Sequence, residues 1–95
     1  MIESSDGPEV PASAVRGRRT PTFSLDTVPA ALTKAHVTTT WAELVVLAGS
    51  VLFVDETPRR IVATAGSRVP IVPRVRHHVE PDASAEFYVQ FYEPS

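Results

Sequence analysis

Residues able to do chemistry gather in one short stretch, Pro73-Arg74-Val75-Arg76-His77-His78-Val79-Glu80, and at one distant position, His36. The chain holds three histidines, and two of these are adjacent and two to three residues from a carboxylate. A neutral imidazole is the commonest side-chain ligand of transition metals and a ready hydrogen-bond partner. Histidines far apart in sequence can share one ion or one ligand if strands carry them to a common mouth. His36, His77 and Glu80 are therefore the candidate ligands of a divalent metal, with Zn, Fe, Ni or Mn as the ions such a set would take. On a strand, His77 and Val79 share one face while His78 and Glu80 share the other. Only a twist or bulge would bring His77 and Glu80 together. The competing view of each histidine is an ordinary polar residue bonded to backbone or solvent.

The elements that must position these residues read as β. From Ala35 onward the chain carries β-branched and apolar runs broken by turns. Leu44-Val45-Val46-Leu47 is a continuous apolar run of strand length, as expected of a strand covered on both faces. Ala48-Gly49-Ser50 is a turn, and Val51-Leu52-Phe53-Val54 is expected to return as its hairpin partner. Arg59–Thr64 forms a further strand after Asp55-Glu56-Thr57-Pro58. Pro70 places Val69–Val72 at an edge or bend. The last strand, Ala85–Tyr92, puts Phe87, Val89 and Phe91 on one face and Tyr88, Gln90 and Tyr92 on the other. Tyr88, Gln90 and Tyr92, with Trp41, are candidates for a ligand pocket; the alternative for the first three is a solvent or dimer face, and for Trp41 and Phe53 a place in the core. Glu43 is a further carboxylate at loose ligand spacing. Only Asp26–Lys34 offers a helix, of a single turn, with Pro29 in its first turn. Six or seven short strands with frequent turns indicate an all-β sandwich or small barrel.

Ninety-five residues make one domain with a modest core. Residues 1–20 are rich in Pro, Gly, Ser and charge without apolar period, and are expected to be a flexible N-terminal tail preceding a folded domain over 21–95. The chain has no cysteine, so no disulfide and no thiolate ligand. Its net charge of −2 argues against broad nucleic-acid binding, and the Arg16, Arg18, Arg19 cluster reads as a solvated tail. No apolar run reaches membrane-span length, and the first residues lack the features of a signal peptide, so a cytoplasmic protein is expected. No nucleophile elbow or phosphate loop is present. A core built on about 75 residues leaves open edges, for which a homodimer is the expected cover.

Gly66, Pro73 and His77 together resemble the second half-motif of cupins, and Gly49 resembles the glycine that closes the first. From about Pro21 to Tyr92 the chain resembles the TehB/YeaR-like domain family, small cupin-like proteins associated by name with tellurite resistance. The residues that carry this are PTFSLDTVPAALTKAHVTT, ending near His36; TWAELVVLAGSVLFVDE; and TAGSRVPIVPRVRHHVEPDASAEFYVQFYEPS. The resemblance implies a small cupin-like barrel, of double-stranded β-helix or jelly-roll type, with a metal site at His36 and His77. Two departures stand out. Gln90 occupies a position where the family usually has an acidic residue, which would weaken any metal site there. Val37-Thr38 after His36 leaves out the closely spaced His-x-His pair of common cupin metal centres. The function so implied is binding of a metal ion or a small polar or anionic molecule in the barrel mouth, in a tellurite or other toxic-oxyanion response. A metal-dependent cupin enzyme, dioxygenase- or isomerase-like, and a metal-free dimerising barrel are the alternatives.

Overall fold

The computed structural model describes residues 7–94. Seven strands form two sheets. β1 (Arg16–Arg19), β7 (Glu86–Tyr92), β2 (Ala42–Ala48) and β5 (Arg68–Ile71) make one sheet in that order. β4 (Arg59–Thr64), β3 (Ser50–Asp55) and β6 (His77–Pro81) make the other, and every pairing is antiparallel. A single helical turn, α1 (Ala30–Thr33), follows Pro29, whose fixed φ of −61° suits a helix entry.

The core lies between the sheets. Alternation along β2, β3 and β7 points Leu44, Val46, Val51, Phe53, Phe87 and Val89 inward, and most of these are fully buried. Phe23, Val28 and Leu32 pack against this core from the segment before His36. That segment spans one end of the sandwich. It is bridged to β7 at Phe23↔Phe87 and to β6 at His36↔His77, so it ties one sheet to the other.

Three expectations are corrected. The sheets do not close into a barrel: β1 and β5 are the edges of one sheet and β4 and β6 of the other. Pro70, which has no N–H to offer a further neighbour, stands on the edge strand β5. β2 and β3 are not hairpin partners. β2 pairs with β5 and β7, β3 with β4 and β6, and Gly49 is the corner at which the chain leaves one sheet for the other. Its φ is +64°, and a Cβ there would lie 2.6 Å from the Ala85 nitrogen, so both the turn and the close approach require glycine. The tail does not run to Thr20. Arg16–Arg19 is a strand, laddered to β7, although residues 1–6 of the expected tail lie outside the described residues. Four arginine- and glycine-type residues show no apolar period, and their pairing partner is some seventy positions away, so local pattern could not reveal this strand.

Candidate functional site

His36 and His77 meet at the spanned end of the sandwich. They form a reciprocal backbone pair, with His36 N–H donating to the His77 carbonyl at 3.0 Å and His77 N–H to the His36 carbonyl at 2.9 Å. Their rings lie edge to face with centroids 4.2 Å apart. The His77 ring also stacks on Phe53 at 5.6 Å. His77 is buried and His36 half-buried.

Each ring has a backbone carbonyl on Nδ1. His36 Nδ1 lies 2.9 Å from the Lys34 oxygen, and His77 Nδ1 lies 3.1 Å from the Val75 oxygen. A carbonyl only accepts, so Nδ1 carries the proton in both rings, and in the neutral form Nε2 is left with a free lone pair. No hydrogen bond to either Nε2 occurs among the described residues. Burial pushes the His77 pKa down, helped by the neighbouring His36 and Arg59 and opposed by the Val75 carbonyl and Asp55. His77 is therefore a neutral acceptor at pH 7.

Two spaces adjoin the pair. A cavity of about 20 Å³, room for roughly one water-sized group, lies between His36, His77 and the apolar side chains of Leu32, Leu44, Val79 and Phe87. Outside it is a groove of about 620 Å³ lined by Arg18, His36, Thr38, Thr40, Phe91 and Tyr92 among others. His36 borders both. The Arg18 guanidinium sits 4.3 Å above the Phe91 ring, which holds a cation at the groove wall.

Of the remaining sequence candidates Tyr92 lines the groove, and the others fall elsewhere. Glu80 is on the outer face of its sheet, where its Oε2 meets His78 Nε2 at 2.8 Å, both side chains partly exposed. It is separated from His77 by strand parity. Tyr88 lies beneath the Arg19 guanidinium at 3.8 Å. Tyr92 donates its hydroxyl to Glu43 Oε1 at 2.8 Å, and Glu43 in turn receives Arg68 Nη1 at 3.1 Å. Gln90 is buried against β1, with its amide nitrogen 3.0 Å from the Gly17 oxygen and 3.2 Å from the Arg18 oxygen. Trp41 lines a second groove with Thr40, Pro73 and Arg74. Arg18, missed in the sequence reading, is the charged residue that the fold adds to the groove.

The donor set does not complete a resident metal centre. A catalytic metal takes at least three protein ligands. Among the described residues no three His, Cys, Asp or Glu side chains converge. The arrangement offers two adjacent imidazoles whose Nε2 atoms have no partner among the described residues, and a guanidinium at the groove wall.

The family model of the TehB-like domain matches residues 18–89. Three solved structures are similar. An Escherichia coli K12 protein aligns with a TM-score of 0.86 at 20% identity, over 94% of this chain and 90% of that one. TehB from Haemophilus influenzae aligns at 0.76 and 24% identity, over 85% of this chain and only 32% of that protein, so the chain corresponds to about a third of its length. An RmlC-like cupin with a double-stranded β-helix fold from Methanocaldococcus jannaschii aligns at 0.59 and 14% identity, over 97% and 92%. These likenesses establish a cupin-like fold. No curated protein sequence matches the chain. Among the described residues no helix is long and apolar enough to cross a membrane.

Proposed function

The chain belongs to the TehB-like domain family, and we propose that it is a binding domain whose His36–His77 pair holds a small hydroxylated anion. One observation carries this reading: two adjacent imidazoles, each held through Nδ1 and with no partner on Nε2 among the described residues, line a small cavity, and His36 also borders an arginine-bearing groove. At His77, the buried member of the pair, an acceptor left without a partner costs about 1–3 kcal/mol, and a ligand hydroxyl would remove that cost. A protonated oxyanion or hydroxy acid suits the arrangement. Its hydroxyl protons go to Nε2, and its charge faces the Arg18 guanidinium at the groove wall. The family's association with tellurite makes hydrogen tellurite the first oxyanion to try. The enzymatic alternative needs a third protein ligand, for which no residue on this end of the sandwich presents itself among the described residues.

The test is calorimetric titration of tellurite, and separately of Zn²⁺, into the wild-type chain and the His36→Ala and His77→Ala variants. Saturable 1:1 tellurite binding, weakened at least about tenfold by each substitution, supports the reading. Tight stoichiometric Zn²⁺ lost in both variants would replace the anion by a metal. No saturable binding of either overturns it.

The homodimer expected from the small core is also a proposal. The outer face of β3 and β4 supports it, since Val62 there is two-thirds exposed beside Leu52 and Val54. Light scattering on the eluting peak at micromolar concentration decides between dimer and monomer.

A further inference from the structure

We propose that Gln90 is a positioning residue of this site, whose amide clamps a bulge in β1 that turns Arg18 toward the groove. The inference rests on the anion reading above for its functional meaning, but the geometry stands by itself.

The register carries it. Arg16 pairs with Tyr92 and Arg19 with Gln90. Three steps on β1 therefore oppose two on β7, one residue more than a regular ladder allows. Cross-strand partners share a face, so Arg16 and Arg19 both stand on the face of Tyr88, Gln90 and Tyr92, and Arg19 caps Tyr88 there. In a regular ladder starting from Arg16↔Tyr92, Arg18 would oppose Gln90 and share that face. The extra residue moves it to the opposite side, where its guanidinium covers Phe91 and borders the groove with His36.

At the bulge the buried Gln90 amide nitrogen reaches the Gly17 and Arg18 oxygens, at 3.0 and 3.2 Å, as well as the Phe91 oxygen at 3.0 Å. An amide NH₂ has two donor hydrogens, which suits a site made only of acceptors. A carboxylate of the same shape would set acceptor against acceptor. The neighbouring contacts, Thr20 N–H to the Val89 carbonyl and Glu93 N–H to the Val15 carbonyl, anchor the ends of β1, and the Gln90 amide reaches the segment between them.

The experiment has two arms on the full chain. In the first, NMR follows the Arg18 side-chain protons, which the Phe91 ring shifts upfield. Gln90→Glu and the uncharged Gln90→Met are expected to return those signals to ordinary arginine positions while the core resonances of Phe53 and Phe87 stay in place. Retention of the shifted Arg18 signals in Gln90→Met, the milder variant, overturns the proposal. In the second arm, tellurite affinity is measured for Gln90→Met, Arg18→Gln and the double variant. Each single change is expected to weaken binding about tenfold, and the double no further than the stronger single. A hundredfold loss in the double variant would mean independent roles and overturn the positioning claim. A wild-type chain that binds no tellurite removes the ligand reading alone, and the first arm then decides on the clamp.

Discussion

Arg59 and Asp55 form the one charged pair in this fold whose side chains are both nearly shut off from water among the described residues. Arg59 Nε and Nη2 both donate to Asp55 Oδ2, at 3.0 and 2.7 Å, and Nη2 also donates to the Pro70 carbonyl at 2.6 Å. Asp55 ends β3 and Pro70 lies in β5, so one guanidinium fastens the three-stranded sheet to the edge of the other. The other Asp55 oxygen, Oδ1, accepts from Thr57, through the backbone N–H at 3.0 Å and the hydroxyl at 2.6 Å.

Removing one member of such a pair leaves the other buried and unpaired. Asp55→Asn is expected to lower unfolding free energy by about 3 kcal/mol, read by urea denaturation. Burial alone would raise the Asp55 pKa, but the bonds from Arg59 and Thr57 outweigh it and hold the carboxyl below the usual 3.8. A depressed folded pKa means this stability is whole above the unfolded value and is lost as pH falls through the folded one. The acid unfolding limb below about pH 4 should therefore flatten in Asp55→Asn.

His77 acts over a different pH window. Its folded pKa lies below the ordinary 6.5, so the unfolded chain takes up a proton that the folded chain refuses. Stability is then complete above pH 6.5 and declines as pH falls below it. Urea midpoints measured between pH 8 and 5 should show that decline in the wild type and a shallower one in His77→Gln.

Two glycines with positive φ separate conformational strain from steric clash. Gly66, at φ +92°, faces open space, and Gly66→Ala should cost about 1 kcal/mol from backbone strain alone. Gly49→Ala adds a clash with the Ala85 and Ser84 backbone at 2.6 Å, where nothing flexible can give way. Its melting temperature should fall well beyond that of Gly66→Ala. Equal losses would refute the assignment of Gly49 as the corner between sheets.

Glu80 tests whether parity or sequence proximity governs the site. Its carboxylate and His78 form an exposed pair on the outer face, worth no more than about 1 kcal/mol. Glu80→Gln should leave stability nearly unchanged and tellurite or Zn²⁺ affinity untouched. A large affinity loss would put Glu80 at the His77 site after all.

Much of this arrangement is readable in the chain. Alternation in β7 separates Phe87 and Val89 from Tyr88, Gln90 and Tyr92, and parity in β6 sets His77 and Val79 inward against His78 and Glu80, because a pleated strand has no other choice. Pro70 at a sheet edge follows from its missing N–H. What the sequence hides is pairing at long range. Nothing local tells that Leu44 and Phe53 belong to strands of opposite sheets, since an Ala-Gly-Ser corner reads like a hairpin turn. Arg18 carries no apolar signal, and its place at the groove depends on a bulge that the Gln90 side chain holds from across the sheet. The bridge between His36 and His77 likewise rests on the segment spanning the sandwich end, whose anchors, Phe23 and Leu32, are ordinary hydrophobic residues.

The central claim is that both Nε2 atoms are free acceptors awaiting a ligand. Long-range ¹H–¹⁵N correlation spectra of the imidazoles at neutral pH measure this most directly. The expected result is a protonated Nδ1 and an unprotonated Nε2 in both His36 and His77, with both Nε2 signals, and not those of His78, shifting together as tellurite saturates. Protonated Nε2 atoms in the free chain, or a titration that moves His78 and leaves the pair untouched, would contradict it.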